Sequence, residues 1–264
     1  MKIAVAGCAG RMGREVIKAS LAAGHELVGG CVAAGDKSVG TDLGLLAGLD
    51  KIGIKATDDL SAAFSPAEVM IDFSRPALTL TLAALAAASG KTLITGTTGF
   101  TPAQQAELEQ HVARAIIVQS FNMSLGVNLL ANLVEKVAAT LGTEFDIEIL
   151  EMHHRQKIDA PSGTALLLGE AAAKGRDVKL AEVAQYTREG ITGARPAGEI
   201  GFAVLRGGDV VGDHQVMFAG MGERITLSHQ SSNRAIYAQG ALKAAAWAKG
   251  KPYGFYTMRD VLSL

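Results

Sequence analysis

The stretch that decides the fold of this chain is Lys2-Ile3-Ala4-Val5-Ala6-Gly7-Cys8-Ala9-Gly10-Arg11-Met12-Gly13-Arg14. It opens with a short apolar segment typical of a buried strand, and a helical segment follows its glycines. Glycines spaced three apart at such a junction permit a tight turn and a close approach of backbone to a pyrophosphate, with helical N–H groups facing the anion. The stretch therefore predicts a dinucleotide-binding turn, although a turn that serves packing alone has the same pattern.

Further strands and helices alternate along the first half of the chain. Strands are predicted at residues 26–32, 69–73, 91–95 and 115–118. Helices are predicted at residues 76–89 and 102–114, and each begins with a proline, which is well tolerated in the first helical turn. This alternation predicts an α/β fold with a Rossmann-type parallel sheet and helices on both of its faces.

In such a sheet, ligands bind beyond the carboxyl ends of the strands. Three loops follow predicted strands there, at residues 72–76, 96–100 and 120–123. Their small and hydroxyl side chains would let a nicotinamide ring approach the backbone. We expect Asp72 to brace the end of its strand rather than to act as an acid or base.

The pattern changes after residue 125. Leucine and valine recur at helical spacing through residue 141, which predicts an amphipathic core helix. A helix is then predicted at residues 165–175, strands at 200–205, 210–211, 215–218 and 224–228, and a final helix at 234–249. Short glycine-containing connections indicate a second, mixed or antiparallel sheet. We therefore expect a discontinuous dinucleotide-binding domain of residues 1–124 and 234–264, interrupted by an α+β substrate domain of residues 125–233.

The densest polar chemistry lies in Glu151-Met152-His153-His154-Arg155-Gln156-Lys157-Ile158-Asp159-Ala160-Pro161-Ser162-Gly163-Thr164-Ala165. Pro161 restricts its neighbour to extended geometry, and Ser162 is a candidate N-cap for a helix that begins beside it. The amides of Gly163 and Thr164, with the Thr164 hydroxyl, would then face a carboxylate.

Cations and donors precede this predicted helix start. His154, Arg155 and Lys157 would form a second cluster, so that the stretch could hold a substrate with two carboxylates. His153 has an ordinary pKa near 6.5 and could exchange a proton at neutral pH. Lys157 could supply a proton or stabilise developing negative charge.

Plainer interpretations of these side chains stay open. The adjacent histidines beside Glu151 and Asp159 could be metal ligands, but neighbours in a strand point to opposite faces and no third spaced ligand is evident. We therefore predict no metal site. Arg155 and Lys157 could simply be solvated. Cys8 has no histidine placed to activate it, so we do not expect a nucleophile there.

Composition excludes several classes of function. The chain has 264 residues, of which 48% are hydrophobic and 19% charged, with a formal net charge of −1. This balance argues against a nucleic-acid or membrane surface as the main target. Two cysteines exclude a disulfide framework, so we expect a reducing cytoplasm, and we see neither a signal peptide nor a membrane span.

These motifs together resemble the dihydrodipicolinate reductase family, also called 4-hydroxy-tetrahydrodipicolinate reductases. The resemblance spans nearly the whole chain and is carried by residues 7–13, 72–76, 96–100 and above all 151–165, with further likeness at 202–213 and 258–262. The stretch with two histidines is highly specific, whereas many dehydrogenases share the glycine turn.

The resemblance implies an NADH- or NADPH-dependent enzyme of bacterial lysine and diaminopimelate biosynthesis. It also implies a homotetramer whose subunits contact one another through the sheet of the inserted domain. The enzyme would reduce a small cyclic dicarboxylate, 4-hydroxy-tetrahydrodipicolinate, with loss of water. The catalytic residues implied are His153 and Lys157, and the ligands of a substrate carboxylate are His154, Gly163 and Thr164. The implied cofactor contacts are Gly7, Cys8, Ala9, Gly10, Arg11, Met12, Gly96, Thr97, Thr98, Ser120, Phe121, Asn122 and Met123.

The chain departs from the family where the choice of cofactor is usually made. Dinucleotide sites place an acidic residue about twenty positions beyond the glycines, or an arginine nearby for a 2′-phosphate. The family commonly has both, but this chain has Ala33 and Ala34 there. Asp36 or Lys37 are candidate substitutes. We therefore predict use of both cofactors with weak discrimination.

Two other functions are compatible with the dinucleotide domain. Another dehydrogenase of a small carboxylate would share that domain but has no need of residues 153–165. A non-catalytic nucleotide sensor would bind the cofactor without turnover, and alanine at His153 or Lys157 would then leave its function intact.

Overall fold

A computed structural model describes the whole chain, from Met1 to Leu264, as two compact units. The first unit comprises Met1–Leu125 and Arg234–Ser263, and the second comprises Gly126–Asn233 together with Leu264. None of the helices combines the length and the apolar character that crossing a membrane requires.

The first unit begins with strands that alternate with helices. The strands are β1 (Lys2–Ala6), β2 (Glu26–Cys31), β3 (Val69–Asp72), β4 (Thr92–Thr95) and β5 (Ile116–Gln119). The helices are α1 (Arg11–Ala22), α2 (Leu43–Leu46), α3 (Leu60–Phe64), α4 (Pro76–Ser89) and α5 (Pro102–Gln110), and a 3₁₀ turn (His111–Ala113) follows α5. The predicted helix at residues 102–114 is therefore shorter, because its last turn tightens to 3₁₀ geometry.

The second unit holds another sheet and two principal helices. Its elements are α6 (Leu125–Leu141), a 3₁₀ turn (Gly142–Glu144), β6 (Asp146–His153), α7 (Gly163–Gly175), α8 (Leu180–Val183), β7 (Ala184–Gln185), β8 (Ile200–Arg206), β9 (Gly212–Ala219) and β10 (Arg224–Ser231). The chain then returns to the first unit with α9 (Ala235–Ala248), β11 (Gly254–Tyr256) and α10 (Met258–Leu262).

The sheet of the first unit is entirely parallel. Its strand order is β11-β5-β4-β3-β1-β2. Alternate residues of β1 enter separate clusters: Ile3 and Val5 pack with residues of α1 and α9, whereas Ala4 and Ala6 pack with residues of α3 and α4. Helices thus cover both faces, which confirms the predicted α/β class.

The sheet of the second unit is mixed, with strand order β10-β9-β6-β8-β7. Strand β9 is antiparallel to β6 and β10, whereas β8 is parallel to β6 and β7. The predicted strand at residues 210–211 is wrong, because these residues belong to the loop before β9, and ladder pairing begins only at Gly212. Helix α7 covers one face of this sheet, where Leu168 and Ala172 join the core around Phe218.

Candidate active site

The turn between β1 and α1 has the geometry of an anion site. Gly7 has φ +68°, a conformation that favours glycine, and a Cβ on Gly13 would lie 2.2 Å from the carbonyl oxygen of Gly7. No side chain caps the start of α1 at Gly10, and its first turn contains no acidic residue. The backbone therefore fits a pyrophosphate at the helix start.

Two of the three predicted loops pack closely at the carboxyl ends of neighbouring strands. A Cβ on Gly96 would lie 2.2 Å from Cε1 of Phe73, and a Cβ on Gly7 would lie 3.7 Å from Cβ of Ser74. Thr97 joins the loops, because its hydroxyl accepts from the amide of Ser74 at 3.0 Å. Any side chain at position 96 would therefore clash with the Phe73 ring, whereas the space beside Gly7 corresponds to ordinary van der Waals contact.

The third predicted loop, residues 120–123, and the glycine turn differ in how far their side chains are exposed. Phe121 is 63% exposed, whereas the side chains of Met123 and Cys8 lie in the core. Burial raises the pKa of the Cys8 thiol to about 12, which excludes a thiolate nucleophile at neutral pH. Cys8 and Met123 can therefore contact a ligand only through their backbone.

In the second unit, strand β6 carries Glu151 and His153 on the same face. Register places Glu151 opposite His214 on β9, and places His153 beside Arg206 on β8. Glu151 Oε2 accepts from His153 Nδ1 at 2.5 Å, and Arg206 donates to both carboxylate oxygens at 2.8 and 3.0 Å. Oε1 also accepts from the amide of Ser162 at 2.9 Å. Glu151 thus fixes His153 and the start of α7 together.

The electrostatics of this group leave His153 neutral near pH 7. Burial would raise the pKa of Glu151, but hydrogen bonds from Arg206, His153 and Ser162 lower it. Burial lowers the pKa of His153, although the hydrogen bond to Glu151 opposes that effect. Because Nδ1 donates to Glu151, Nε2 is the nitrogen available to a ligand. It lies 3.0 Å from where a Cβ on Gly212 would stand.

A second histidine, His214, contacts the residue that caps the start of α7. His214 is 3% exposed, and burial lowers its pKa to about 4. Its Nε2 lies 3.0 Å from the hydroxyl oxygen of Ser162, which accepts from the amide of Ala165 as the predicted N-cap. The His214 ring meets that of His153 edge-on, with centroids 5.1 Å apart. We did not expect a role for His214 from the sequence.

The loop between β6 and α7 carries the remaining predicted residues. The ammonium of Lys157 donates to both oxygens of Asp159 at 2.8 Å, so Lys157 is ion-paired rather than simply solvated. Burial is the main cause of the lowered pKa of His153, and the charge of Lys157 lowers that pKa further. Gly163 begins α7 as an exposed residue, as the candidate N-cap predicted.

The structure brings most of the predicted site together within the second unit. His153 contacts the Glu151 carboxylate directly, Gly163 follows Ser162, whose amide donates to the same carboxylate, and Lys157 pairs with Asp159 in the loop between them. The Glu151 oxygens are bound by Arg206, His153 and Ser162, and no cluster of three or more histidine, cysteine, aspartate or glutamate side chains is arranged to hold a metal ion. The spacing of Glu151 and His153, two apart on one strand, was the signal that could have revealed the pair.

Two family profiles match the chain almost from end to end. The profile described as dihydrodipicolinate reductase, N-terminus, matches residues 1–123, and the one described as dihydrodipicolinate reductase, C-terminus, matches residues 126–262. A 4-hydroxy-tetrahydrodipicolinate reductase of Methylocella silvestris is 54% identical, covering 100% of this chain and 97% of that protein. The reductase of the same name from Dinoroseobacter shibae is 52% identical, covering 99% and 98%.

Solved structures show the same likeness. A dipicolinate-bound dihydrodipicolinate reductase from Paenisporosarcina sp. TG-14 superposes with a TM-score of 0.75 and 25% identity over 97% of each chain. An amine dehydrogenase from Mycobacterium smegmatis shares the fold at a TM-score of 0.60 and 14% identity, covering 97% of this chain and 94% of that one. The chain thus belongs to the dihydrodipicolinate reductase family.

Proposed function

We propose that this enzyme reduces 4-hydroxy-tetrahydrodipicolinate to tetrahydrodipicolinate in lysine and diaminopimelate biosynthesis. One hydride and one proton are consumed, and water leaves. Membership of the family supports the reaction, and the observation that carries it in this chain is the Glu151 carboxylate, which holds His153 with Arg206 beside the start of α7. That arrangement places the neutral imidazole of His153 next to the N-terminus of α7. The helix N-terminus can bind an anionic substrate, and the imidazole can exchange a proton with it.

The first unit would hold the cofactor. The pyrophosphate fits the uncapped start of α1 and the turn at Gly7 to Met12, and the loops at Gly96 to Thr98 and Ser120 to Met123 would receive the nicotinamide. When bound, the nicotinamide would supply a hydride from its C4 to the conjugated C=C–C=N system that the substrate gains once its hydroxyl group has left as water. Cys8 and Met123 contribute through their backbone alone.

The second unit would bind the substrate and manage its protons. The amides and hydroxyl at Gly163 and Thr164, with His154, bind one carboxylate, since the α7 N-terminus attracts anions. His153 exchanges a proton through Nε2 while Glu151 holds Nδ1. Lys157 donates the proton that completes the reduction, and Asp159 orients its ammonium.

The cofactor would be NADH or NADPH with weak discrimination. Ala33 and Ala34, which follow β2, are exposed and carry neither an acid for ribose hydroxyls nor a base for a 2′-phosphate. The nearby Asp36 accepts from the amide of Ser38 at 2.8 Å and so serves its own turn. We expect kcat/KM for the two cofactors to differ by less than about a hundredfold, or about 2.7 kcal/mol.

A homotetramer in the cytoplasm would be the working form of the enzyme. The face of the second sheet opposite α7 supports assembly, because it presents Leu150, Met152 and Leu205 from neighbouring strands, and Leu205 is 47% exposed. We assign no nucleic acid or membrane as a partner.

Oxidation of the cofactor, followed by its absorbance, tests the function. Freshly generated hydroxy-tetrahydrodipicolinate would be supplied with NADH and NADPH in parallel to the wild type, Lys157→Ala and Lys174→Ala. Lys174 is a matched control, because it is a lysine of the same unit that pairs with Glu135 in an exposed position. We expect substrate-dependent oxidation that falls about a hundredfold or more in Lys157→Ala and persists in Lys174→Ala. Cofactor binding without oxidation by the wild type would instead favour a nucleotide sensor.

A further inference from the structure

Asp72 is a buried carboxylate that the proposed reaction leaves without a task. It ends β3, and its side chain has no exposure to solvent. A buried charge is unfavourable unless hydrogen bonds or an opposite charge compensate it. No lysine, arginine or histidine forms an ion pair with Asp72.

Neutral donors alone satisfy this carboxylate. Oδ1 accepts from the amide of Ser74 at 3.0 Å and from its hydroxyl at 2.5 Å. Oδ2 accepts from the hydroxyls of Thr79, Thr95 and Thr97 at 2.5, 2.9 and 3.0 Å. The negative charge is therefore well solvated by the protein but is not cancelled by a cation.

The charge lies under the loops that are proposed to hold the cofactor. Strand β3 lies between β1, which leads into the glycine turn, and β4, which leads into the loop at Gly96. Thr97 and Ser74, which bind the carboxylate, belong to the loops that follow β4 and β3. Ligands of open parallel sheets bind beyond the carboxyl ends of the strands, where these loops lie.

We propose that the buried charge of Asp72 stabilises the oxidised, positively charged nicotinamide relative to the reduced, neutral ring. The proposal rests on the cofactor assignment made above. Transfer of a hydride to the substrate leaves one positive charge on the ring, and a fixed negative charge shielded from water attracts it more strongly than in bulk solvent. Asp72 thereby favours loss of the hydride from the nicotinamide without contacting the cofactor or the substrate.

A purely structural role for Asp72 leads to a different expectation. A residue that only braces the loops would affect the binding of both oxidation states equally, because they share the pyrophosphate, the riboses and the adenine. A charge acts on the oxidised ring alone. The ratio of the two dissociation constants therefore separates the two roles.

The variant Asp72→Asn removes the charge and keeps the size of the side chain. Thr79→Val is the matched control, because it removes a hydrogen bond to the same carboxylate and keeps the charge. Kd for NADH and NAD⁺, and in parallel for NADPH and NADP⁺, would be measured by titration calorimetry without substrate. We expect the ratio of Kd for NAD⁺ to Kd for NADH to rise about tenfold in Asp72→Asn, which corresponds to about 1.4 kcal/mol, and to change less than about twofold in Thr79→Val.

Each outcome decides the matter. An unchanged ratio in Asp72→Asn, or an equal loss of affinity for both forms, would overturn the role of Asp72 while leaving the cofactor assignment intact. Failure of the wild type to bind either NADH or NADPH would overturn the cofactor assignment, and this proposal with it. If Asp72→Asn does not fold, Asp72→Ser gives the same readout, because its smaller side chain leaves room for water to satisfy the threonine hydroxyls.

Discussion

Among single residues, Glu151 is the one that fixes His153, the proposed catalytic residue, most directly. It is 1% exposed, and its carboxylate raises the pKa of His153 against the effect of burial. In Glu151→Gln the ring loses that charge, and Arg206 is left with an unpaired charge. We expect kcat to fall between about tenfold and a hundredfold, and the pKa of His153, followed by NMR of its ring protons, to drop.

The control for this variant is Glu148→Gln. Glu148 is on the same strand but three residues away, and it pairs with Arg188 and Arg195. Its loss should leave kcat and the His153 titration close to wild type. If Glu151→Gln kept full kcat, Glu151 would have to be regarded as a structural residue only.

Gly212 is the residue that keeps Nε2 of His153 accessible. Because a Cβ there would lie 3.0 Å from that nitrogen and cannot move without shifting β9, Gly212→Ala should crowd the position that a substrate atom needs. We expect kcat/KM to fall at least about tenfold with thermal stability changed by less than about 1 kcal/mol. Gly207→Ala is the control, since its Cβ would meet only the flexible end of Met152. Equal effects of the two substitutions would contradict this account.

The predictability of individual residues follows their spacing along the chain. His153, Lys157 and Gly163 lie within one short stretch, so the sequence alone groups them into one proposed site, and the N-cap predicted at Ser162 is confirmed. Arg206 lies on a different strand and reaches the site only because β8 pairs with β6 in parallel register. No local pattern encodes that register.

At the level of elements, the start of α7 couples helix capping to pH. His214 supports the N-cap Ser162 and has a pKa lowered to about 4 from an ordinary 6.5. Between these values the unfolded chain binds more protons than the folded one, so the free energy of unfolding decreases as the pH falls from 6.5 to 4. The contribution is fully present above pH 6.5, and its total is roughly 3 kcal/mol.

Urea denaturation at pH 7 and pH 4.5 measures this contribution. His153 and His229, whose pKa values burial also lowers, act in the same direction, so the wild type should lose stability toward acid by more than His214 alone provides. His214→Gln, which cannot titrate, should be less stable at pH 7 but show a smaller loss between the two pH values. An identical loss in both proteins would rule out His214 as a source of the pH dependence.

Elements with clear start and stop signals can be predicted closely. The predicted helix at residues 76–89 has the observed bounds of α4, because Pro76 fixes its start and Gly90 ends it in a left-handed conformation. The three-residue strand β11 went unpredicted, since Gly254–Tyr256 is too short for any periodicity and depends on pairing with β5.

At the scale of the whole molecule, the glycine turn and the regular alternation of elements suffice to predict a parallel sheet, because parallel strands need helical crossovers. The order of the second sheet does not follow from its sequence. The residue patterns of β8 and β9 are both typical of strands and do not give their direction. Strand β8 pairs in parallel with β6, whereas β9 pairs antiparallel with it. In this arrangement Phe202 of β8 and Phe218 of β9 pack in one core with Leu168 of α7.

Assembly should depend on the outer face of that second sheet. Leu150, Met152 and Leu205 are on neighbouring strands in paired register, with Met152 beside Leu205, and Leu205 is 47% exposed. Exposed apolar side chains grouped in this way are unfavourable in water and favour contact with another copy of the chain. Because a lysine in such an interface would bury an unpaired charge, Leu205→Lys should weaken the proposed tetramer.

Sedimentation velocity across a range of protein concentrations measures the effect. The wild type should sediment as a tetramer, and Leu205→Lys as smaller species at the same concentrations. Leu45→Lys is the matched control, because Leu45 is 55% exposed but belongs to α2 of the first unit, and it should leave the distribution unchanged. A wild type that sediments as a monomer would overturn the proposed assembly. A tetramer that persists in Leu205→Lys would instead move the interface to another surface, since a buried, unpaired lysine costs several kcal/mol at a packed contact.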